Sequence, residues 1–161
     1  MIVVPDAGPL IYLAGAGHLD LLRILFKRVV TPAIVHDEVV VHGAGLVGAA
    51  EVAAATWIEI ESIDPDPDLL ASLDAGEAAA IPLAERLGAI LLCDDSDGRE
   101  EARRRGLRVV GTIGVLLHAK RAGHLARIGP VVDRMKGLGM FVGASLLAEA
   151  LAAAGEDADG E

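Results

Sequence analysis

The stretch AILLCDD, at residues 89–95, is a short apolar run that ends in two aspartates. A second run of this kind, IVVP at residues 2–5, ends in Asp6. Both runs are too short for helices and consist of branched aliphatic side chains, which is typical of buried strands. The carboxyl ends of parallel strands meet at one edge of a sheet, where ligands bind at the switch in strand order. The two runs therefore predict strands that bring Asp6, Asp94 and Asp95 to the same edge.

Segments with helical spacing separate these two runs from three further strand-like stretches, at residues 28–31, 57–62 and 108–110. Short strands that alternate with helices are typical of an α/β fold with a mostly parallel sheet. Between the third and fourth strands we expect two helices, at residues 69–73 and 75–87. One domain over residues 1–154 accounts for these elements, and residues 155–161 are expected to form a flexible acidic tail.

The composition of the 161 residues excludes several classes of protein. Mean hydropathy is +0.48, but no apolar run approaches the roughly 18 residues of a membrane span. The single cysteine, Cys93, excludes a disulfide framework and is expected to be an inert core thiol. An aromatic content of 2% and a net charge of −10 disfavour base-stacking platforms and a broad basic surface. The N-terminus lacks a basic signal sequence, so we expect a cytoplasmic protein.

Two more acids are expected near the sheet edge that follows Asp6. Glu38 lies on the helix after the second strand, and Glu77 lies in the first turn of the helix before the fourth, with Asp74 as its alternative. Clustered carboxylates repel one another, and Mg²⁺ or Mn²⁺ removes that cost through oxygen ligands. Such an ion can activate water for displacement at a phosphodiester. Taken singly, each acid also fits a helix cap or a solvated position, and Asp74 with Glu77 matches a capping box.

Five stretches, taken in chain order, match a known family. They are DAGPLIYL at residues 6–13, TPAIVHDEV at 31–39, LDAGEA at 73–78, LLCDDSDGR at 91–99 and VGTIGVL at 110–116. The chain resembles the PIN-domain superfamily of nucleases, which includes VapC-type toxins, and within it the DUF3368 branch. The resemblance implies a three-layer α/β/α sandwich around a mostly parallel five-stranded sheet in the order 3-2-1-4-5.

The resemblance also implies a metal-dependent endoribonuclease that uses Mg²⁺ or Mn²⁺, with RNA as its substrate and dimers as its assembly. Such a protein can be the toxin of a VapBC-type pair, with a cognate antitoxin as its partner. The third family acid maps to Glu77 or Asp74, and we prefer Glu77 because its first-turn position can aim it at the sheet edge. The fourth acid maps to Asp94 or Asp95. The predicted catalytic and metal-binding residues are Asp6, Glu38, Glu77, Asp94 and Asp95.

Two further residues are candidates for substrate binding. Arg99 lies at the start of the helix after the paired aspartates. We expect it either to contact a phosphate or to form a surface salt bridge. Thr112 predicts either a substrate contact or a helix cap. The basic run at residues 103–105, with Arg108, is either an RNA-backbone strip or a solvated helix face.

Two other functions compete with the ribonuclease. The net charge of −10 favours a catalytically weak PIN-like module that binds nucleic acid or regulates another protein. A carboxylate-rich phosphatase or phospho-acceptor domain ranks last, because the Asp6-Ala7-Gly8 loop lacks a second aspartate.

The C-terminal third carries more apolar residues than one side of a thin sheet needs. Large apolar patches mark partner surfaces, and two-fold dimers are the commonest soluble oligomers. We therefore predict a homodimer with part of this set at its interface: Ile113, residues 115–117, residues 131–132, Met135, Leu138 and residues 140–142.

Overall fold

Five short strands form one all-parallel sheet in the computed structural model, which describes residues 1–156. They are β1 (Ile2–Pro5), β2 (Arg28–Pro32), β3 (Ile58–Glu61), β4 (Ile90–Leu92) and β5 (Val109–Val110). The strand order is β3-β2-β1-β4-β5, and β1 pairs in parallel with both β2 and β4. The order therefore switches direction at β1, which places the predicted ligand crevice beyond the carboxyl ends of β1 and β4. The predicted α/β class and the order 3-2-1-4-5 are confirmed.

Nine helices within residues 1–156 connect and cover the strands. They are α1 (Ala7–Gly15), α2 (Leu21–Leu25), α3 (Ala33–Val40), α4 (Ala49–Ala54), α5 (Ala75–Leu87), α6 (Ser96–Arg104), α7 (Thr112–Arg121), α8 (Gly129–Gly137) and α9 (Ala144–Ala153). The helix predicted at residues 69–73 is wrong, because this segment forms turns that bury Leu69 and Leu73. Five residues are too few to form a stable helix without help from their surroundings. Each helix in this part of the chain is too short or too polar to span a bilayer.

Alternate residues of each central strand face opposite layers of the sandwich. Val3 packs in the core under α1, α2, α7 and α8, whereas Val4 packs in the core under α5 and α6. On β4 the same alternation sends Leu92 to the first core and Leu91 to the second. All four side chains are almost fully buried. The sequence of each strand is therefore a continuous apolar run and does not alternate between apolar and polar residues. This explains why the short apolar stretches predicted the sheet correctly.

The C-terminal apolar residues lie mainly in the core of one chain. Val115, Leu116, Val132 and Met135 are fully or almost fully buried in the core under α1 and α7. The dimer prediction counted these residues as surplus because it did not anticipate how tightly α7 and α8 pack over the sheet. Phe141 is the exception in that set, since 91% of its surface is exposed. The homodimer itself stays a prediction.

Glu156, assigned by sequence to the flexible tail, is buried in the structure. Its carboxylate accepts hydrogen bonds from the backbone amides of Ile128 and Gly129 and from the Lys120 ammonium group. Burial alone would raise the pKa of Glu156, but these donors hold it at about 2. These contacts hold the segment after α9 against α7 and the start of α8. Of the predicted tail, residues 157–161 lie outside the described part of the chain.

Candidate active site

Asp6 directly follows β1 and points into the crevice at the switch in strand order. Its backbone amide donates to the Leu92 carbonyl at 2.9 Å, which extends the pairing of β1 with β4 to this residue. Asp6 occupies the N-cap position of α1, yet its side chain makes no capping hydrogen bond. Burial, together with the nearby carboxylates of Asp74 and Glu38, raises the pKa of Asp6 to about 7, against the lowering effect of a hydrogen bond from the Ala7 amide. The side chain is therefore available for a ligand.

Glu77 reaches the same crevice from the first turn of α5. Asp74 caps this helix, since its Oδ1 accepts from the Glu77 amide at 2.8 Å, and Glu77 Oε1 accepts from the Asp74 amide at 3.4 Å. This capping box orients the Glu77 side chain toward the sheet, where only 5% of the residue is exposed. Burial raises the pKa of Glu77 to about 8, with further contributions from a hydrogen bond to Asp95 and the charge of Asp74. Of the two alternatives for the third site acid, Glu77 points into the crevice and Asp74 caps α5.

Glu38 approaches Asp6 from the last part of α3, across a space kept open by Gly76. A side-chain carbon added at Gly76 would lie 3.2 Å from Asp6 Oδ1 and 3.3 Å from Glu38 Oε1. Burial and the charge of Asp74 raise the pKa of Glu38, although this residue is more exposed than Glu77. Three of the predicted site acids, Asp6, Glu38 and Glu77, thus converge around the N-terminus of α5.

Cys93 completes the inner part of this cluster. Its thiol lies 3.6 Å from Glu77 Oε2 and is 1% exposed. One ligand atom each from Asp6, Glu77 and Cys93 lies within 4.8 Å of the other two. Burial raises the pKa of the Cys93 thiol, and the charges of Asp6 and Glu77 raise it further. The predicted burial of Cys93 is correct, but its contact with two site carboxylates was not foreseen.

The paired aspartates after β4 take different directions. Asp95 Oδ2 caps α6 by accepting from the Gly98 amide at 3.0 Å, and the same side chain interacts with Glu77. Asp94 turns toward α7, where Oδ1 accepts from the Thr112 amide at 2.7 Å and Oδ2 from the Thr112 hydroxyl at 2.5 Å. Asp95 therefore borders the Asp6–Glu77 cluster directly, whereas both oxygens of Asp94 are engaged by Thr112.

The two predicted substrate-binding residues lie beside Asp94. Thr112 is fully buried, which leaves no surface for the predicted substrate contact. The predicted helix cap is wrong too, because Gly111 holds the N-cap position of α7, and Thr112 instead donates its amide and hydroxyl to Asp94. Arg99 is partly exposed, and its Nη1 donates to the Cys93 carbonyl at 2.9 Å. This bond fixes the Arg99 guanidinium next to the end of β4. Gly111 allows the close approach, because a side-chain carbon there would lie 2.9 Å from both Arg99 Nη1 and Asp94 Oδ1.

Much of the basic run after Arg99 is neutralised by acids of the same surface. Arg105 pairs with Asp66, Glu85 and Glu101. Arg104 also pairs with Glu101. The hypothesis of a continuous RNA-backbone strip along these arginines is therefore not supported by the ion pairs.

A cavity of about 700 Å³ opens beside Asp94, between β5, α7 and α9. Arg99 and Arg103 contribute its cationic groups, and Leu117 and Leu146 contribute apolar surface. Asp94 and Glu149 line the same cavity, which therefore combines two cations and two acids with an apolar wall.

The acids of the cluster are not paired with a cationic side chain in the described part of the chain. Among the described residues, no lysine, arginine or histidine forms an ion pair within 4.0 Å of its acids. Buried carboxylates without a cation shift toward the protonated form, as the raised pKa values of Asp6, Glu38 and Glu77 indicate. A divalent cation is the group that this arrangement can bind, because it neutralises several carboxylates at once.

The sequence contains one signal that would have placed Cys93 beside Glu77. Side chains alternate along a strand, so Cys93 faces the same layer as Leu91, which packs under α5. Glu77 lies on that helix, two residues from its start. The alternation could therefore have paired the thiol with Glu77 before the structure was known.

Comparisons with known proteins agree with this fold. The family model DUF3368, described as a PIN domain, matches residues 2–156. Among solved structures, a PilT N-terminus domain protein from the hyperthermophilic archaeon Sulfolobus solfataricus P2 aligns with a TM-score of 0.52 at 20% sequence identity. The alignment covers 74% of this chain and 93% of that one. No curated protein matches the chain.

Proposed function

Since the chain belongs to the DUF3368 family of PIN domains, we propose that it is an Mg²⁺- or Mn²⁺-dependent endoribonuclease. PIN domains are generally nucleases that bind divalent metals. The observation that carries the proposal is the convergence of Asp6, Glu38 and Glu77 at the switch in strand order, with Asp95 at their border and no cation paired to them among the described residues.

The donor set and the space at Gly76 fit a hard divalent cation. Carboxylate oxygens are the ligands that Mg²⁺ and Mn²⁺ prefer. Asp6, Glu38 and Glu77 would hold the ion, with Asp95 at its border, and the absence of a side chain at Gly76 keeps the space between Asp6 and Glu38 open. When bound, the ion supplies Lewis-acid activation of the phosphodiester and of the attacking water.

The surrounding residues have distinct tasks in this proposal. Glu38 is the most exposed of the three converging acids, so its carboxylate is the one that solvent water can reach. Arg99 is fixed by its bond to the Cys93 carbonyl and can contact a substrate phosphate. Thr112 orients Asp94 through two hydrogen bonds, so that both oxygens of Asp94 keep one position beside Arg99.

The cavity beside Asp94 suggests where the substrate chain passes. Its two arginines suit a phosphate backbone, and its apolar wall suits a nucleobase or a sugar. RNA as the substrate, a cognate antitoxin, a homodimer and a cytoplasmic location stay predictions.

The test is cleavage of a fluorogenic RNA by the Asp6→Asn variant in the presence of Mn²⁺. Asparagine keeps the shape of aspartate but removes the charge that a hard cation needs, so we expect loss of EDTA-sensitive cleavage. Asp37→Asn is the matched control, because Asp37 is an exposed neighbour of Glu38 with the same change in charge. Mn²⁺ binding, measured by electron paramagnetic resonance, should weaken in the Asp6 variant and not in the control.

Equal, EDTA-sensitive rates for the parent and the Asp6 variant would contradict the role of Asp6. If the parent binds Mn²⁺ and RNA but does not cleave, the catalytically weak binding module becomes the better description.

A further inference from the structure

The single cysteine of the chain lies where the apolar core under α5 and α6 meets the carboxylate cluster. Cys93 Sγ is 3.6 Å from Glu77 Oε2, and the two residues share the space that Gly98 leaves free. A side-chain carbon at Gly98 would lie 2.5 Å from Glu77 Oε2 and 3.1 Å from Cys93 Sγ. The glycine therefore permits a thiol and a carboxylate to meet in a pocket that both also share with Asp6.

The separation of these two atoms is the one expected for ligands of a common tetrahedral ion. Zinc binds thiolate sulfur at about 2.3 Å and carboxylate oxygen at about 2.0 to 2.2 Å. At a tetrahedral angle these bonds place sulfur and oxygen about 3.5 Å apart. The thiol donates a hydrogen bond to Glu77 Oε2 at 3.6 Å, so the two atoms already lie at a separation that a shared ion can span, and one Asp6 carboxylate oxygen lies within 4.8 Å of both.

We propose that Cys93 is a metal ligand, and that Asp6, Glu77 and Cys93 form a mixed sulfur and oxygen site for thiophilic divalent ions such as Zn²⁺. The inference rests on the proposed metal site and assigns it a second class of ion. On binding, the Cys93 sulfur forms a bond to the ion and its proton passes to solvent. No electron is transferred.

Two classes of ion would then occupy the same crevice in different ways. Mg²⁺ has little affinity for sulfur and binds through oxygen, so it leaves Cys93 as a neutral thiol. Zn²⁺ would be held by the thiolate together with Asp6 and Glu77, so it would share two carboxylate ligands with Mg²⁺. Zn²⁺ is therefore expected to compete with Mg²⁺ and Mn²⁺ and to inhibit the proposed hydrolysis.

The test is titration of the EDTA-treated, full-length protein with Co²⁺, followed by displacement with Zn²⁺. A cobalt–thiolate bond gives a charge-transfer band in the near ultraviolet that oxygen ligands do not give. Because the chain has one cysteine, such a band can arise only from Cys93. We expect the band to saturate at one equivalent of Co²⁺, to disappear when Zn²⁺ is added and to be missing from Cys93→Ser and Cys93→Ala.

Affinity measurements by calorimetry provide a second readout. Cys93→Ser should weaken Zn²⁺ binding by at least about tenfold, the lower end of what loss of an outer-shell partner already costs. The same variant should weaken Mn²⁺ binding by a smaller factor. Circular dichroism of the variant shows whether it keeps the fold, and the cobalt band of the parent tests the ligand without any variant.

The outcomes separate this inference from the proposed nuclease activity. Co²⁺ binding without the charge-transfer band overturns the sulfur ligand and leaves the proposed function intact. The band together with a lack of Mn²⁺-dependent cleavage supports the sulfur ligand and contradicts the nuclease. Failure of Co²⁺, Zn²⁺ and Mn²⁺ to bind overturns both proposals.

Discussion

Replacing Glu77 by glutamine should stabilise the metal-free protein, and the gain should grow with pH. The Glu77 carboxylate is 5% exposed and its pKa is raised from 4.5 to about 8, mainly by burial. The folded protein therefore binds this proton more tightly than the unfolded chain does. The stability that comes from this tighter proton binding is fully present below about pH 4.5. It is lost as the pH rises toward and through about 8. Glutamine carries no charge at any of these pH values, and its amide oxygen can still accept from the Asp74 amide in the capping box.

The magnitude follows from the pKa of the folded state. One pKa unit corresponds to about 1.4 kcal/mol, so the ionised Glu77 lowers the free energy of unfolding by about 5 kcal/mol at about pH 8.5. At about pH 5 the same calculation gives about 1 kcal/mol, because the folded form is then protonated and the pH lies only about half a unit above the unfolded pKa of 4.5. Domains of this size unfold with about 5 to 15 kcal/mol, so the effect is a large part of the total.

Urea unfolding with EDTA at about pH 5 and pH 8.5, monitored by circular dichroism, measures this difference. We expect Glu77→Gln to exceed the parent by about 4 kcal/mol more at the higher pH than at the lower one. Glu100→Gln is the control, since Glu100 is an exposed residue of α6, and it should change stability by less than about 0.5 kcal/mol. A variant that is no more stable than the parent at pH 8.5 would refute the argument that Glu77 is a buried charge without a cation.

Saturating Mn²⁺ should raise the thermal midpoint of the parent above its value in EDTA, because an ion that binds only the folded state stabilises it by about 2.7 kcal/mol at one hundred times its Kd. An unchanged midpoint at millimolar metal would argue against the site. Glu156→Ala should lower the free energy of unfolding by about 3 kcal/mol in a urea melt, because the buried amide of Ile128 loses its acceptor and Lys120 loses its partner. Glu156→Gln should cost less, and equal stability of both variants with the parent would contradict the anchoring role. Light scattering at micromolar concentration should give twice the chain mass of 16.6 kDa, and a mass near 16.6 kDa at every concentration would end the dimer prediction.

The strands could be predicted because the central strands are buried on both faces, whereas their order was implied by the family resemblance and not by the apolar runs. Val3, Val4, Leu91 and Leu92 are continuous apolar residues, and they are followed at once by acids. Turn residues and glycines, such as Gly88 in the left-handed conformation after α5, also marked the helix ends correctly. The predicted short helix at residues 69–73 failed although α2 is equally short, because this segment forms turns between Asp66, whose side chain accepts from the Asp68 amide, and the extended N-cap residue Asp74.

The site was predicted less completely than the fold, because sequence position does not set the direction of a side chain. Asp94 and Asp95 are adjacent at the end of β4, yet one turns to α7 and the other to α6 and Glu77. Hydrogen bonds to the starts of helices decide these directions: Asp95 accepts from Gly98 within the same turn, whereas Asp94 accepts from Thr112, which lies 18 residues away in the chain. Glu156 was missed for a similar reason, since its donors lie 27 and 28 residues earlier in the chain.

The double use of several acids has an evolutionary consequence. Asp74, Asp94 and Asp95 hold the starts of α5, α7 and α6, so natural selection for folding alone would preserve them in a lineage that had lost its activity. Asp6 makes no capping bond, and Glu38 lies within a helix without a cap to serve. These two positions are free to drift once catalysis is no longer selected. Among relatives of this chain, their replacement would mark the descendants that have become pseudoenzymes, even where the aspartates after β4 persist.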